Sequence, residues 1–396
     1  MPELVELVWE DTGHHELVSS RDRGPFRYSA FVPDPISELE PPVGVGVAAA
    51  VERAVRACAD LDASPGIHDL EPVARLLLRA ESVASSRIEG LRLSHRRIEE
   101  ARFAPEGARG TALSIVRNID AMARAIDLGL RSDALTLDEL LSIHAALMQT
   151  PEDRAIAGKI REGQNWIGGG NTPRRAEFVP PPPERVRVLL ENLVRFCNRE
   201  DLSAVVQAAI AHAQFETIHP FADGNGRTGR CLVHLILRRR AVSRRVVPPV
   251  SVVLAADARR YVDGLTAFRA GGLDAWCLAF ADALTVAGER AVDLGREMAE
   301  LRASWLERAG RPNRGSSARR ILDGLPGHPI VSVASASRLL GVSDEAARTA
   351  LNRLERAGVL RLVSIGRRNR AWAAMEVFEL LDEFDATIGS RGRPAR

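Results

Sequence analysis

The chain has 396 residues, of which 45% are hydrophobic and 27% charged, and its formal net charge is +2. This composition is normal for a soluble globular protein, and the length excludes a single ordinary domain and predicts two to four units. No apolar run is long enough to span a membrane, and the acidic N-terminus lacks an apolar signal core, so we expect a cytoplasmic protein with no membrane partner. The four cysteines lack metal-ligand and redox spacing, which predicts buried reduced thiols.

The charge is distributed unevenly along the chain. From residue 311 to the C-terminus there are fifteen Arg and nine Asp or Glu, a balance of +6, so the rest of the chain carries −4. A basic C-terminal part can attract a polyanion.

The first 45 residues contain four prolines between positions 33 and 42, which predicts an irregular arm. From residue 46 onward, apolar residues recur every three or four positions, which predicts helices. The second of these runs from Leu70 to Ile88 and ends at Gly90. Further helices are predicted near 112–127, 136–148, 184–198, 203–217, 226–240, 257–268, 273–288 and 290–308.

One segment interrupts this helical pattern. Residues 161–173 are rich in Gly, Asn and other turn formers, and the short segment Ala-Glu-Phe-Val at 176–179 follows. We expect a short hairpin or flap over about 161–180. Pro183 is suited to the first position of the next helix.

The C-terminal part predicts a small separate unit. Two short helices precede Ser343, which is suited to cap a helix over 344–356, and Gly358 ends that helix. Two strands are then predicted between 359 and 373, around a basic turn at 366–369. The order resembles a winged helix-turn-helix.

Two functions are open for this unit. As a binder of double-stranded DNA it would place Arg348, Asn352 and Arg353 towards the groove. Further phosphate contacts would come from the wing, at Arg367, Arg368 and Arg370. The alternative is a protein-interaction or dimerisation module with a solvated basic face.

The run from residue 219 to 230 is the most informative part of the chain. It combines a proton acceptor, a carboxylate suited to a hard metal ion, flexible glycines and two guanidinium groups in twelve residues. These are the groups needed to act on a nucleotide triphosphate. They are His219, Asp223, Gly224, Asn225, Gly226, Arg227 and Arg230.

The spacing of this run predicts an anion site. His219 precedes a proline and is therefore displaced from the helical conformation at the exit of a helix. Gly224 and Gly226 allow the backbone to approach a ligand. A second helix begins near Arg227, so its free N–H groups face the loop, and Arg230 lies on the same face three residues later.

Other nucleotide and metal sites fit this run less well. The order from Gly224 to Gly229 matches the dinucleotide fingerprint, but a helix precedes it and no acidic residue follows before Asp257. A Walker loop is excluded because the GK[ST] ending is absent. A metal triad of His212, Glu216 and His219 would need His219 on the helix, whereas His212 is expected to be a packed core residue.

The run resembles the signature of the Fic family, H-x-F-x-[DE]-G-N-G-R-x-x-R, at every defining position. The resemblance implies a helical core over about 105–300, with the flap, and transfer of AMP from ATP to a Ser, Thr or Tyr hydroxyl of a protein. It implies that His219 is the general base and that Asp223 holds Mg²⁺ on the phosphates. Nucleotide binding would then fall to Gly224, Asn225, Gly226, Arg227 and Arg230.

A second motif lies upstream, at Ser85-Ser-Arg-Ile-Glu89-Gly90. A carboxylate at the end of a helix opposes the helix dipole and is better tolerated beside a cation. Taken alone, the segment favours an exposed Glu89 that pairs with Arg87 or Arg92. It also resembles the Fic inhibitory motif, [ST]-x-x-x-E-[GN], which implies that Glu89 pairs with Arg230 in place of the ATP γ-phosphate.

We therefore expect a mainly α-helical protein with a Fic core, a β-hairpin flap and a C-terminal winged helix. The predicted parts are 1–104 with the inhibitory motif, 105–308 as the Fic core, 309–317 as a linker, 318–375 as the winged helix and 376–396 as a C-terminal helix and basic tail. The expected function is self-inhibited adenylyltransfer, including transfer to itself. Open alternatives are a DNA-binding regulator whose core senses or modifies a partner, removal of AMP, or transfer of another phosphate-linked group. A homodimer is compatible with the sequence.

Overall fold

A computed structural model describes residues 2–10, 24–64, 71–131, 133–365 and 369–391, without the side chains of Glu71, Asn369 and 388–391. The described part is mainly helical, with two small antiparallel sheets, which confirms the predicted fold class. Within it, no helix combines the length and the apolar character that a membrane span requires.

The N-terminal segment forms a hairpin in the part that the structure describes. β1 (Glu3–Trp9) and β2 (Phe26–Val32) are antiparallel, with Glu3 opposite Val32 and Trp9 opposite Phe26. The prediction of an irregular arm is therefore wrong for these two segments. Their alternating apolar residues are typical of strands, and the prolines that suggested an arm follow β2.

Most helices before and around the motif lie where the periodicity predicts them, whereas the short helices His95–Phe103 and Val250–Ala256 were not predicted. In chain order, the helices of this part are α1 (Val45–Ala63), α2 (Glu71–Ile88), α3 (His95–Phe103), α4 (Gly110–Gly129), α5 (Leu137–Leu147), α6 (Pro183–Cys197), α7 (Ala204–Ile218), α8 (Asn225–Arg239), α9 (Val250–Ala256) and α10 (Ala258–Arg269). Pro183 is the first residue of α6, as predicted.

One long helix replaces the two that the sequence predicts between 273 and 308. α11 (Leu273–Arg308) is continuous through Gly288. A Cβ at Gly288 would lie 3.0 Å from atoms of Ala57, so this glycine allows α1 to pack closely on α11 rather than ending a helix.

The predicted flap is a minimal hairpin. Ile167 and Phe178 form an antiparallel bridge, in which the Ile167 N–H donates to the Phe178 carbonyl at 2.8 Å. A short 3₁₀ turn at Pro173–Arg175 joins the two sides. The Phe31 N–H also donates to the Val179 carbonyl at 2.9 Å, so β2 borders the flap.

The C-terminal elements follow in the order helix, strand, two helices, two strands and a final helix. They are α12 (Ser317–Gly324), β3 (Ile330–Val331), α13 (Val333–Leu340), α14 (Asp344–Arg356), β4 (Arg361–Ile365), β5 (Asn369–Ala373) and α15 (Met375–Arg391). The sheet order is β3-β5-β4. Ser343 caps α14 by accepting from the Ala346 N–H at 3.2 Å, as predicted.

Two large hydrophobic clusters each contain residues from more than one predicted part of the chain, on both sides of the boundaries at 104 and 308. These domain boundaries therefore stay a prediction. Residues of α1 pack with α4 to α8, α10 and the first half of α11 around the motif. Residues of α2 instead pack with α9, the second half of α11 and the C-terminal unit. The helix that carries the inhibitory motif therefore lies between the motif helices and the C-terminal unit.

Candidate active site

His219 lies at the point where α7 ends. It has φ 49° and ψ 61°, a left-handed conformation that is uncommon for a residue other than glycine. Arg161 holds this exit, because its Nε donates to the His219 carbonyl and its backbone N–H donates to the Pro220 carbonyl, both at 2.9 Å. Arg161 was assigned only to the flap from the sequence, since nothing local indicates its reach to residue 219.

The imidazole of His219 is held neutral. Burial, and then the charge of Arg161, lowers the pKa of His219 to about 4. Its Nδ1 has no hydrogen-bond partner among the described residues, and the nearest carboxylate oxygen, Glu216 Oε2, is 4.0 Å away. A neutral imidazole is the form that accepts a proton.

Two side chains hold the loop between α7 and α8. The Asn225 amide donates to the Phe221 carbonyl and accepts from the Phe221 N–H, both at 2.8 Å. The His144 ring stacks on Phe221 with centroids 3.6 Å apart, and its Nε2 lies 3.0 Å from the Asp223 carbonyl. The Asn225 amide therefore braces the loop, and its predicted phosphate contact stays a prediction.

His144 was not identified from the sequence. It belongs to the apolar face of α5, where a lone histidine is usually a core residue. Its Nδ1 accepts from the Gly158 N–H at 3.0 Å, and burial lowers the pKa of His144 to about 4. The ring is therefore neutral, with its proton on Nε2 and directed to the Asp223 carbonyl.

The start of α8 is open to an anion. Gly224 precedes it with φ 76°, and no described side chain caps this helix end. The first intrahelical bond comes from the Thr228 N–H to the Gly224 carbonyl at 3.0 Å, so the N–H groups of the three residues before Thr228 have no intrahelical acceptor. Such a terminus favours phosphate or carboxylate.

The two motif arginines lie beside this helix end, and both are buried. Arg227 Nη1 donates to Ser114 Oγ at 2.8 Å, and its Nη2 is 3.5 Å from Asp223 Oδ1. The Asp223 side chain is 65% exposed, which leaves its carboxylate accessible to a ligand. The Gly224 N–H donates to the same Oδ1.

Arg230 is joined to the upstream motif. Its Nη2 donates to Glu89 Oε1 at 2.7 Å and to the Ser85 carbonyl at 2.8 Å, and its Nε donates to Ser85 Oγ at 2.8 Å. Burial favours protonation of Glu89, but Arg230 and Arg227 outweigh it, and the pKa of Glu89 lies below its usual value. The pair is an ionised bridge made within one chain.

Glu89 lies over the start of α8. A Cβ at Gly226 would lie 2.0 Å from Glu89 Oε1, so the carboxylate is directly above the first turn of that helix. The alternative of Glu89 paired with Arg87 does not agree with the geometry, since Arg87 contacts Asp385. Gly90, with φ 80°, ends α2, and the N–H groups of Gly90 and Leu91 bond to Arg87 and Ser86.

The metal triad considered from the sequence does not form. His212 is buried with Nε2 2.8 Å from the Tyr261 hydroxyl, as expected for a packed histidine. Burial raises the pKa of Glu216 to about 7. In the described ranges, no three His, Cys, Asp or Glu side chains are grouped as metal ligands.

The C-terminal candidates fall into three groups. Arg348, Asn352 and Arg370 are exposed. Arg353 is exposed in part, but its Nη2 donates to the Ala309 carbonyl at 2.7 Å, so it supports the junction with α11 instead of pointing freely outward. Arg367 and Arg368 lie outside the described residues.

Comparison with known proteins agrees with this site. Residues 134–237 match the profile of the Fic/DOC family. The match contains α5 to α7 and most of α8, including the whole motif.

Curated relatives are similar over part of their length. Protein adenylyltransferase fic-1 of Caenorhabditis elegans is 33% identical over 152 residues, 37% of this chain and 27% of that protein. Protein adenylyltransferase Fic of Culex quinquefasciatus is 30% identical over 248 residues, 59% of this chain and 45% of that protein. The chain thus spans less than half the length of either relative.

Solved structures share the fold. A Fic family protein from Desulfovibrio desulfuricans G20 superposes with a TM-score of 0.52 at 23% identity, covering 85% of this chain and 98% of that one. A Fic domain containing signaling protein from Bacteroides thetaiotaomicron VPI-5482 gives a TM-score of 0.51 at 20% identity, covering 62% of this chain and 95% of that one.

Proposed function

We propose that this protein is a self-inhibited adenylyltransferase that moves AMP from ATP to a Ser, Thr or Tyr hydroxyl of a protein, including itself. The observation that carries the proposal is that His219, the uncapped start of α8 and Arg230 lie around the position that the Glu89 carboxylate occupies. The names of the partial relatives support the same chemistry.

The reaction assigns a role to each group. The target hydroxyl attacks the α-phosphorus of ATP, the bond to the bridging oxygen breaks, and pyrophosphate leaves. His219 takes the hydroxyl proton in this step. Arg227, Arg230 and the N–H groups at the start of α8 bind the phosphates and offset their charge.

Magnesium fits the donor set at Asp223. Mg²⁺ is usually held by one or two carboxylates together with substrate phosphates and water, so a dedicated protein cage is not required. The Asp223 carboxylate is exposed beside the anion position and supplies a hard oxygen ligand. When bound, the ion would neutralise charge on the α- and β-phosphates.

Inhibition follows from competition between two anions. Glu89 occupies both Arg230 and the space above Gly226, where we place the γ-phosphate. The Arg230 side chain is only 1% exposed, whereas that of Glu89 is 37% exposed. The carboxylate is therefore the member of the pair that is able to leave.

The test is incorporation of label from α-labelled ATP with Mg²⁺, for the wild type, Glu89→Gly and Glu89→Gly/His219→Ala. Glu89→Gly should raise labelling by about tenfold or more, and removing the base should then lower it by about 10²–10⁴-fold. Glu106→Gly is the matched control, because it removes an exposed glutamate elsewhere and should change nothing. No labelling in any folded, ATP-binding form would contradict the proposal.

Two alternatives for the same site are outcomes of this assay. Transfer of another phosphate-linked group would label the protein from a different nucleotide and not from ATP. Removal of AMP would appear as loss of label from a previously modified protein that requires Glu89. Either result would change the reaction that we assign to the protein, but not the residues that form the site.

We propose DNA binding as a second function, carried by the C-terminal unit at about 318–375. The helix, strand and hairpin order supports a winged helix with α14 as its recognition helix. The exposed side chains of Arg348 and Asn352 on α14, with Arg370 on β5, favour this function over a dimerisation module. Arg367 and Arg368 remain predicted wing contacts.

DNA binding is tested by an electrophoretic shift with mixed-sequence duplex across a salt series. Arg348→Ala/Asn352→Ala should weaken binding by about tenfold or more. Arg370→Ala removes a proposed phosphate contact and should lower the magnitude of the salt slope by about 0.9. Arg185→Ala, an exposed arginine on α6, is the control. Absence of a shift at low salt would reject this function.

We also infer a cytoplasmic setting, because the four cysteines are free and buried, as in proteins kept reduced. A homodimer is not required for inhibition, since the Glu89–Arg230 pair forms within one chain. Light scattering of the purified protein would give its oligomeric state.

A further inference from the structure

The last turn of α2 makes a contact that the proposed chemistry does not use. Arg87, between Ser85 and Glu89, bonds through Nη2 to Asp385 Oδ2 on α15. The same oxygen lies 3.0 Å from Nε2 of His95, the first residue of α3. The Asp385 side chain is only 9% exposed, so this is a nearly buried bridge between the C-terminal helix and both sides of Glu89.

Asp385 is held in place by the C-terminal unit. Leu381 and Phe384, just before it on α15, belong to the hydrophobic cluster that also contains Val73 and Leu77 of α2. At the start of α15, Glu376 accepts from Trp305 Nε1 of α11 at 2.8 Å. The carboxylate therefore projects from an anchored helix rather than from a mobile tail.

The body of α2 has its own anchors, which do not involve α15. Buried Glu81 accepts from the Ser251 N–H at 2.7 Å and lies 2.7 Å from His234 Nε2. Asn118 donates to the Ser82 carbonyl at 2.8 Å. Loss of the Asp385 bridge would therefore affect the last turn of α2 while the rest of the helix keeps its contacts.

That last turn is the weak part of the inhibitory helix. Helix ends fray more readily than helix interiors, and Glu89 lies beyond the last regular residue of α2, Ile88. Besides the Asn118–Ser86 hydrogen bond and the packing of Ile88, two charged contacts hold the turn: Arg230 through Glu89 and Ser85, and Asp385 through Arg87, with His95 bound to the same carboxylate. An ATP γ-phosphate can displace only the first of them.

We propose that Asp385 is a positioning residue that keeps Glu89 on Arg230, so that the C-terminal unit controls access of a nucleotide to the site. The inference rests on the proposed function. Asp385 touches neither nucleotide nor target, and it acts through Arg87 and His95. Any movement of α15 that withdraws Asp385 from Arg87 frees the last turn of α2 and favours the binding of ATP over the Glu89–Arg230 contact.

The experiment uses the full chain with Asp385→Asn and, as the matched control, Asp382→Asn. Asp382 is an exposed aspartate on the same helix, so the control makes the same chemical change away from the bridge. Two quantities are measured: affinity for a non-hydrolysable ATP analogue by calorimetry, and amide hydrogen exchange of residues 86–91. Neither depends on transferase turnover.

Asp385→Asn should raise ATP-analogue affinity by about fivefold or more, in the usual range of coupling between sites, and should speed exchange over 86–91. Asp382→Asn should change neither. In a Glu89→Gly background, Asp385→Asn should give no further gain in affinity, because the competitor that it positions is absent. Arg87→Gln should reproduce the effect from the other side of the bridge, should Asp385→Asn fail to fold.

Three results would overturn the inference. Unchanged affinity and exchange in Asp385→Asn and Arg87→Gln would show that the bridge does not hold the turn. An equal gain in affinity with and without Glu89 would show that Asp385 acts by another route. If Glu89→Gly alone gives no gain in affinity for the ATP analogue, then Glu89 does not compete with the γ-phosphate and the inference fails. The proposed transferase activity would still be tested separately by the labelling assay.

Discussion

At the scale of single residues, the site is built around histidines that the fold keeps neutral. Burial lowers the pKa of both His144 and His219 to about 4, but the two rings are used differently. Among the described residues His219 Nδ1 has no hydrogen-bond partner, which agrees with the proposed role of this ring as the base. His144 has both nitrogens engaged, at Gly158 and Asp223, and its ring is stacked on Phe221.

His144 is expected to position the Asp223 backbone. In a Glu89→Gly background, His144→Leu should lower kcat by about tenfold or more with a smaller effect on the KM for ATP, because small displacements of a catalytic loop are costly. His144→Gln keeps an amide donor for the Asp223 carbonyl and should recover part of the loss. A titration of labelling rate against Mg²⁺ and ATP would measure both constants.

The control for this prediction is His328→Gln, at a partly exposed histidine beside Arg75. It should leave kcat unchanged. If His144→Leu keeps the kcat and the Mg²⁺ dependence of the Glu89→Gly parent, then the ring serves packing alone.

At the scale of elements, two helix ends meet at the candidate site. The C-terminal end of α2 brings a carboxylate, which is unfavourable for its own dipole, to the N-terminal end of α8, where a negative charge is favourable. Gly90 ends α2 and Gly224 precedes α8, and both glycines have positive φ. The Glu89–Arg230 pair joins the two ends.

The flap is also part of a larger arrangement. Besides the Phe31–Val179 backbone bond, the Phe31 ring lies 5.9 Å from that of Phe178, and Trp9 meets Trp166 edge to face at 5.5 Å. The hairpin β1–β2 therefore supports the flap from outside. A flap held by a single bridge between residues 167 and 178 would be only marginally stable without these contacts.

At the scale of the whole molecule, buried ionisable groups predict a dependence of stability on pH. The folded pKa is about 4 for His144 and His219 and about 3 for His212, below the ordinary value of 6.5. Between pH 6.5 and 4.5 the unfolded chain therefore binds more protons at these three residues. Glu216 acts in the opposite direction, because its folded pKa is about 7 against an ordinary 4.5.

In this pH window the three histidines bind about three more protons in the unfolded state, and Glu216 binds about one more in the folded state. The unfolded state therefore binds about two more protons than the folded state. The free energy of unfolding should therefore fall as the pH falls from 6.5 to 4.5, by about 1.4 kcal/mol per pH unit for each proton of difference. Urea denaturation at pH 6.5, 5.5 and 4.5 would measure this. Glu216→Gln removes the opposing group and should steepen the fall. A protein that gains stability on acidification through this window would contradict the assignment.

The sequence determined most of the helices and the composition of the site. Periodicity predicted most helices around the motif to within a few residues, since each must bury one face. The motif itself predicted where α7 ends and α8 begins, because proline and glycine restrict or free the backbone locally. The hairpin β1–β2 was missed because prolines nearby suggested an arm, and α11 was predicted as two helices, 273–288 and 290–308.

Only the tertiary structure decided which groups meet. The bonds from Arg161 to residue 219, from His144 to residue 223 and from Arg87 to Asp385 join positions 58, 79 and 298 residues apart. Periodicity and turn chemistry act over a few residues, whereas these contacts depend on how whole helices pack. The sequence by itself therefore determined the chemical groups of the motif, and packing decided that distant residues such as Arg161 and His144 hold them in place.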